Sequence, residues 1–171
     1  MNQTHDAGQK HDAGKPGDLI VNINDTEPLM LGTGTSIRLL RYSAETGDWV
    51  LFVEMEPGAT FAPHWHLGPG EYFVTKGELI YDVGSAPQGT YGYEPIGSRH
   101  SEAHCKERTE YLFMGHGAVA FTGEEGEIRF VFNHEFLRDL SEGKMTNDIS
   151  NEGAAKEKAV QGEASRERAP V

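Results

Sequence analysis

The sequence predicts an all-β domain of the sandwich or barrel type. Short runs rich in β-branched and aromatic residues follow one another along the chain, and glycine and other turn residues separate them. No stretch between these runs has the length and apolar period of a crossover helix. Regularly spaced strands without intervening helices favour a sandwich or a closed barrel.

The candidate strands lie between residues 19 and 132. Gly77 joins two of them in a tight turn, and the segment 124–127 predicts another hairpin turn. In chain order the candidate strands are residues 19–23, 36–42, 49–56, 60–66, 71–76, 78–83, 90–94, 110–114, 119–121 and 128–132.

One short helix is predicted after the last strand. Asn133 stands in a suitable N-cap position, and Phe136, Leu137 and Leu140 have the spacing of an apolar helical stripe.

The chain of 171 residues is long enough for a single domain that buries its own core. Residues 1–18 are polar, and residues 142–171 are rich in glutamate, lysine, alanine, serine and glycine. Both segments are predicted to be flexible tails, which leaves residues 19–141 as the folded domain.

Composition argues against several classes of partner. The net charge is −12 and the chain has no basic stripe, so neither nucleic acid nor an anionic membrane surface is expected to bind. Cys105 is the only cysteine, which excludes a disulfide framework.

No apolar run approaches the length of a membrane span, and the N-terminus lacks the pattern of a secretory signal. A cytoplasmic location is therefore predicted.

Four histidines form the most informative cluster in the sequence: His64, His66, His100 and His104. A His-x-His pair on a strand directs both imidazoles to the same face, because side chains alternate with period two. A third imidazole from a later strand can complete three facial positions on a metal. Most single histidines bind no metal, so the surrounding residues carry the prediction.

Glycines and a proline flank these histidines at regular distances, and each can set a turn that swings a strand into a barrel. The flanking residues are Gly58 and Gly77 around the first pair, and Gly89, Pro95 and Gly97 before His100.

The two segments resemble the two motifs of the cupin superfamily, Gly-x5-His-x-His-x3,4-Glu-x6-Gly and Gly-x5-Pro-x-Gly-x2-His-x3-Asn. Here the first runs from Gly58 to Gly77 and the second from Gly89 to His104. The resemblance covers residues 36–132 and implies a single-domain cupin jelly-roll β-barrel.

Two positions depart from the motifs. Glu71 is one residue too close to Gly77, and the glutamate position of the motif falls on Gly70. A shift of one residue turns a strand side chain to the opposite face, although a bulge after His66 would still bring Glu71 in. His104 takes the place of the motif's asparagine and is either a fourth ligand or a residue outside the ligand set.

The stretch from His64 to Gly77 is similar to the small cupins that cleave β-diketones, the acetylacetone-cleaving dioxygenases. In these a Gly-Pro-Gly-Glu-Tyr-Phe run also follows the His-x-His pair. The resemblance implies Fe(II) held by His64, His66 and His100, an aromatic lining position at Tyr72, and a homodimer or higher homo-oligomer. A looser likeness is to the dihydroxyacetophenone dioxygenases.

The predicted activity is cleavage of a C–C bond in a β-diketone or related hydroxyketone with O2. Neutral imidazoles also suit other metals, so zinc, nickel or manganese remain alternatives to iron. Without a carboxylate ligand, the site is expected to attract an anionic bidentate ligand such as an enolate. The alternative functions are a non-oxidative metal-dependent isomerase or lyase acting on a small oxo acid, and a small-molecule-binding sensor cupin.

Overall fold

The computed structural model describes residues 18–123 and 125–144. The predicted tails therefore lie almost wholly outside the described residues. Strands account for most of the described chain, and they occur in this order: β1 (Leu29–Gly32), β2 (Thr35–Tyr42), β3 (Asp48–Met55), β4 (Thr60–Phe61), β5 (His64–His66), β6 (Gly70–Lys76), β7 (Glu78–Tyr81), β8 (Gly84–Pro87), β9 (Tyr91–Glu94), β10 (Arg99–His100), β11 (Ala103–His104), β12 (Thr109–His116), β13 (Val119–Thr122) and β14 (Ile128–Phe132).

The strands form a six-stranded sheet and two four-stranded sheets. The large sheet has the order β1-β2-β3-β12-β6-β9, and the small sheets have the orders β10-β5-β13-β14 and β4-β11-β7-β8. Neighbouring strands in all three sheets pair antiparallel. This architecture confirms the predicted all-β class.

Alternation of side chains sorts the large sheet into a core face and an outer face. In β6, Gly70, Tyr72 and Val74 are buried, whereas Phe73 and Thr75 are exposed. The buried faces of all three sheets meet in one apolar core, so the sheets enclose a barrel-like interior.

A glycine turn connects the large sheet to one of the small ones. Gly77 links β6 to β7 with a φ of +71°, and a β-carbon there would lie 2.5 Å from the carbonyl oxygen of Arg108. Only glycine fits both the left-handed conformation and the close approach. The tight turn predicted between Lys76 and Glu78 is thus confirmed.

The prediction of a strand at residues 19–23 is wrong. The segment that follows Asn22 is instead a short 3-10 helix, Ile23–Asp25, and the side chain of Asn22 caps it by accepting a hydrogen bond from the Asn24 amide at 3.0 Å. Ile20 is 94% exposed, so no core face holds this segment extended. Local capping has replaced strand pairing here.

The strand predicted at residues 60–66 is divided. Residues 60–61 pair with β11, whereas residues 64–66 pair with β10 and β13 in a different sheet. Pro63 lies at the break, where it cannot donate a backbone hydrogen bond to either ladder. The break lets the His-x-His strand enter the second sheet.

The predicted helix is confirmed. It spans His134–Ser141, and the Asn133 side-chain oxygen accepts a hydrogen bond from the Phe136 amide at 2.9 Å. Phe136, Leu137 and Leu140 are buried against the barrel. Within the described ranges, no helix has the length and apolar character needed to span a membrane.

Candidate metal centre

Strands β5 and β10 bring three imidazoles together. His64 and His66 share a face of β5, and His100 pairs with His64 across the antiparallel ladder. The ring centroids lie 5.0 Å apart for His64 and His100, and 5.3 Å apart for each of the other two pairs. Each ring offers a nitrogen, and the three nitrogens all lie within 4.8 Å of one another.

Hydrogen bonds orient two of these rings. His64 Nδ1 lies 2.9 Å from the carbonyl oxygen of Ala62, and His100 Nδ1 lies 3.3 Å from Asp82 Oδ1. Both acceptors require the histidine to donate from Nδ1, so in the neutral form of each ring the lone pair is on Nε2. Partners of this kind set the tautomer and direction of metal-binding histidines.

Buried nitrogen atoms without partners show that the site suits a cation. Neither ring nitrogen of His66 has a hydrogen-bond partner, and His100 Nε2 has none, although all three atoms are buried. Buried polar atoms are otherwise almost always satisfied. Three converging imidazoles with free lone pairs fit a divalent transition metal.

The protonation state of His64 also suits metal binding. Desolvation lowers the pKa of His64 to about 4, the hydrogen bond to Ala62 opposes this shift, and the neighbouring His66 and His100 add to it. The imidazole is therefore neutral at ordinary pH, which is the form that ligates metal.

Asp82 holds His100 from the outer side. Burial acts to raise the pKa of the Asp82 carboxyl, but hydrogen bonds from the Ser101 amide and from His100 bring it below its ordinary value. The ionised carboxylate accepts from Ser101 N at 3.0 Å as well as from His100. Asp82 was not singled out from the sequence, where it lies within the candidate strand 78–83; in the structure that strand ends at Tyr81.

A buried carboxylate, Glu94, adjoins the histidines. Its Oε2 lies 3.1 Å from His66 Nε2 and its Oε1 lies 3.5 Å from His100 Nε2. Neither contact is a hydrogen bond, because His66 Nε2 and His100 Nε2 both lack a hydrogen-bond partner. Glu94 is 7% exposed. The site predicted from the sequence has no carboxylate, so Glu94 was not foreseen. Alternation of side chains along the strand before Pro95 was the available signal for it.

Glu71 faces away from the histidines. It lies on the outer face of β6, where it accepts a hydrogen bond from the Tyr91 hydroxyl at 2.6 Å and contacts His116 Nε2 at 3.2 Å. No bulge at the start of β6 reverses this direction, since Gly70 and Glu71 pair in regular register with Glu94 and Tyr93. The alternative in which a bulge brings Glu71 to the metal is wrong.

His104 also lies outside the histidine group. It pairs with Thr60 and Ile80 in the other small sheet, its side chain is 36% exposed, and its Nδ1 lies 3.6 Å from Glu102. The structure thus brings together His64, His66 and His100 and leaves His104 apart.

Tyr72 points inward, as alternation along β6 predicts, but Tyr81 stands between it and the cavity. The two hydroxyl oxygens lie 2.6 Å apart, and Tyr81 lines the cavity whereas Tyr72 does not. The Tyr81 ring lies edge-on to His100 at 5.1 Å. Burial raises the pKa of both tyrosines, so both hydroxyls keep their protons.

The histidines lie at one end of an apolar cavity. The cavity is partly open to solvent, and its space measures about 640 Å³ with that open part included. The three histidines, Glu94, Tyr81 and Tyr111 are the lining residues that could bind polar atoms of a ligand, and most of the other lining residues are aromatic or aliphatic. The apolar lining includes Leu31, Ile37, Trp49, Leu51, Phe61, Phe113, Phe121 and Phe132. The site can therefore hold a small molecule with its polar atoms at the histidines and apolar groups elsewhere.

Comparison with protein families gives one match over most of the chain. The profile described as the ChrR Cupin-like domain matches residues 16–120. The matched segment contains the three histidines, Glu94, Asp82 and both inward tyrosines.

One relative is a characterised enzyme. The acetylacetone-cleaving enzyme of Acinetobacter johnsonii is 31% identical over 101 residues, which cover 56% of this chain and 66% of that enzyme, a little under two thirds of its length.

Solved structures show the same fold. A protein from Methylibium petroleiphilum PM1, provisionally assigned as an acetylacetone dioxygenase, superposes with a TM-score of 0.70 at 27% identity over 74% of this chain and 96% of that one. The acetylacetone dioxygenase structure from Acinetobacter johnsonii superposes with a TM-score of 0.68 at 23% identity, over 85% and 98% of the two chains. The predicted cupin jelly roll is thereby confirmed.

Proposed function

The chain belongs to the ChrR cupin-like domain family, and we propose that it is an Fe(II)-dependent dioxygenase that cleaves a C–C bond of a β-diketone or related hydroxyketone. The observation that carries the proposal is the set of three converging imidazoles at the end of an apolar cavity, with the Glu94 carboxylate beside them. The likeness to the acetylacetone-cleaving enzyme supports the choice of substrate.

In this proposal His64, His66 and His100 hold the metal through their Nε2 atoms. Bound there, iron would polarise the two substrate oxygens and supply the redox chemistry that dioxygen requires. The protein's contribution is to fix three imidazole donors on two paired strands and to leave the cavity side of the site open.

Glu94 has the position of a proton acceptor. A β-diketone must lose a proton from the carbon between its carbonyl groups before it becomes an enolate. The Glu94 carboxylate is buried, lines the cavity and lies beside His66 and His100, so it can take this proton without a water molecule.

The apolar walls then separate the reacting groups from solvent. Phe61, Phe113 and Phe121 line the cavity with the histidines, and Phe121 lies 5.2 Å from the His64 ring. Exclusion of water from this end of the cavity strengthens the electrostatic interactions there and prevents side reactions.

In the proposed reaction both atoms of O2 enter the products. These products are a carboxylic acid and either a 2-oxoaldehyde or a 1,2-diketone.

Oxygen uptake by metal-loaded protein tests the proposal. Protein purified without oxygen and then loaded with Fe(II) should consume O2 when acetylacetone is added, and samples loaded with zinc or nickel should not. Oxygen uptake that is absent with Fe(II) and every β-diketone tried, together with turnover of an oxo acid by the zinc or manganese form, would instead establish the non-oxidative isomerase or lyase.

A further inference from the structure

The hydroxyl groups of Tyr72 and Tyr81 together have one hydrogen-bond donor that finds no acceptor among the described residues. Each tyrosine hydroxyl carries one donor and two acceptor positions. The two hydroxyl oxygens lie 2.6 Å apart, so one of the two protons is donated in the hydrogen bond between them. Within the described ranges, neither hydroxyl has a hydrogen bond to any other group, and Glu94 is not bonded to either of them. One O–H donor is therefore left over.

The surroundings of the two rings show where this proton is available. Tyr72 is 3% exposed, and a β-carbon on the opposite residue Gly92 would lie only 2.5 Å from the Tyr72 hydroxyl, so backbone closes off that side. Tyr81 lines the cavity. When Tyr72 donates to Tyr81, the proton of Tyr81 is free to be donated to a ligand in the cavity.

The position of the Tyr81 ring beside His100 places this side chain at the histidine end of the cavity. The two rings meet edge-on at a centroid distance of 5.1 Å, and the next residue, Asp82, holds His100 Nδ1. A molecule bound at His100 thus has the Tyr81 side chain as its neighbour. Buried hydroxyl groups normally find an acceptor, and an oxygen anion is the strongest one available to a neutral donor.

We propose that Tyr81 is a substrate-binding residue that donates a hydrogen bond to an oxygen of the bound β-diketone, with Tyr72 orienting its hydroxyl. The inference rests on the proposed function, because it takes the enolate of a β-diketone as the acceptor. Tyr81 thereby favours a ligand with a charged second oxygen over a simple ketone with the same carbon skeleton.

Ligand affinity in the zinc-loaded protein tests this assignment without turnover. Titration calorimetry compares acetylacetone with methyl propyl ketone, which lacks the second carbonyl. A hydrogen bond to a charged acceptor corresponds to roughly a tenfold to hundredfold change in affinity. Tyr81→Phe should weaken acetylacetone binding by that factor and leave the weak binding of the ketone unchanged.

Two further variants separate donation from packing. Tyr72→Phe keeps the Tyr81 proton, so its affinity for acetylacetone should fall by much less. Tyr93→Phe, whose side chain is 58% exposed, is the matched control and should bind as the wild type does. Thermal unfolding of each variant reports whether removal of one oxygen has disturbed the fold.

Equal affinity of Tyr81→Phe and wild type for acetylacetone would overturn the assignment while leaving the proposed function intact. Equal losses in Tyr81→Phe and Tyr72→Phe would also overturn it, since the pair would then act only through the structure. A wild-type protein that binds no β-diketone at all would contradict the proposed function and this inference together.

Discussion

Gly70 and Glu94 are directly opposite each other in the antiparallel pair of β6 and β9. A β-carbon on Gly70 would lie 2.6 Å from Phe113 Cζ and 3.3 Å from His66 Cε1, so position 70 faces the histidines and has no room for a larger residue. The carboxylate of this site is therefore on the neighbouring strand. Glu94 reaches His66 and His100 across the space that Gly70 leaves.

Glu94→Gln should abolish most of the activity while metal binding persists. The amide keeps the size of the side chain but cannot accept the substrate proton. General base catalysis contributes about a hundredfold or more, so kcat should fall by at least that factor. Steady-state oxygen uptake measures the loss, and metal analysis confirms that the site is loaded.

Glu71→Gln is the matched control for this variant, because Glu71 is a glutamate one residue from Gly70 on the outer face. It should retain wild-type kcat. Full activity in Glu94→Gln, or a loss in Glu71→Gln as large as that of Glu94→Gln, would contradict the role given to Glu94.

Removal of His100 should abolish metal binding, whereas removal of His104 should not. His100 contributes one of the three converging nitrogens, and His104 lies in a different sheet and contacts Glu102. Metal content per chain, measured after loading and dialysis, distinguishes His100→Ala from His104→Ala. Full metal content in His100→Ala would refute the ligand assignment.

Asp82→Asn should weaken metal binding without unfolding the protein. The loss of an orienting carboxylate behind a metal-binding histidine typically costs about tenfold to a hundredfold in affinity, and a value near the lower end is expected here because the Asp82 side chain is 39% exposed. Competition with a chelator measures the affinity.

The chain offers a second aspartate–histidine pair as the control. Asp48 Oδ1 lies 3.2 Å from His116 Nδ1 on the outer face of the large sheet. Asp48→Asn should leave metal affinity unchanged. If both aspartate variants weakened metal binding equally, the effect would come from net charge and not from the orientation of His100.

Asn133→Ala should lower the free energy of unfolding by about 1 kcal/mol, because Asn133 caps the only α-helix of the described residues. Asn133→Asp keeps a side-chain acceptor for the Phe136 amide and should restore most of the loss. Chemical denaturation compares the three proteins, and an unchanged alanine variant would show that the cap contributes nothing.

The sequence was most informative where a local rule decides the structure. His64 and His66 point the same way because strands have period two, and Gly77 and Asn133 specify a turn and a cap through their own conformational preferences. The one-residue offset of Glu71 from the cupin motif correctly indicated that its side chain faces outward.

The rest depends on pairing between strands that are distant in sequence. Glu94 meets His66 only because β9 pairs with β6 in one register, and Asp82 meets His100 only because the loop after β7 passes behind β10. The division of residues 60–66 between two sheets likewise follows from long-range pairing around Pro63. Local periodicity can indicate the face of a strand on which a residue lies but not the distant residue that it meets, so only the folded chain reveals these contacts.

Cleavage of acetylacetone by the Fe(II)-loaded protein under isotopically labelled dioxygen tests the proposed dioxygenase activity most directly. We expect the diketone and O2 to disappear in equal amounts and the carboxylic acid product to carry one labelled oxygen atom. Cleavage that proceeds without consumption of O2 and gives an unlabelled acid would contradict it, because the bond would then be broken by water.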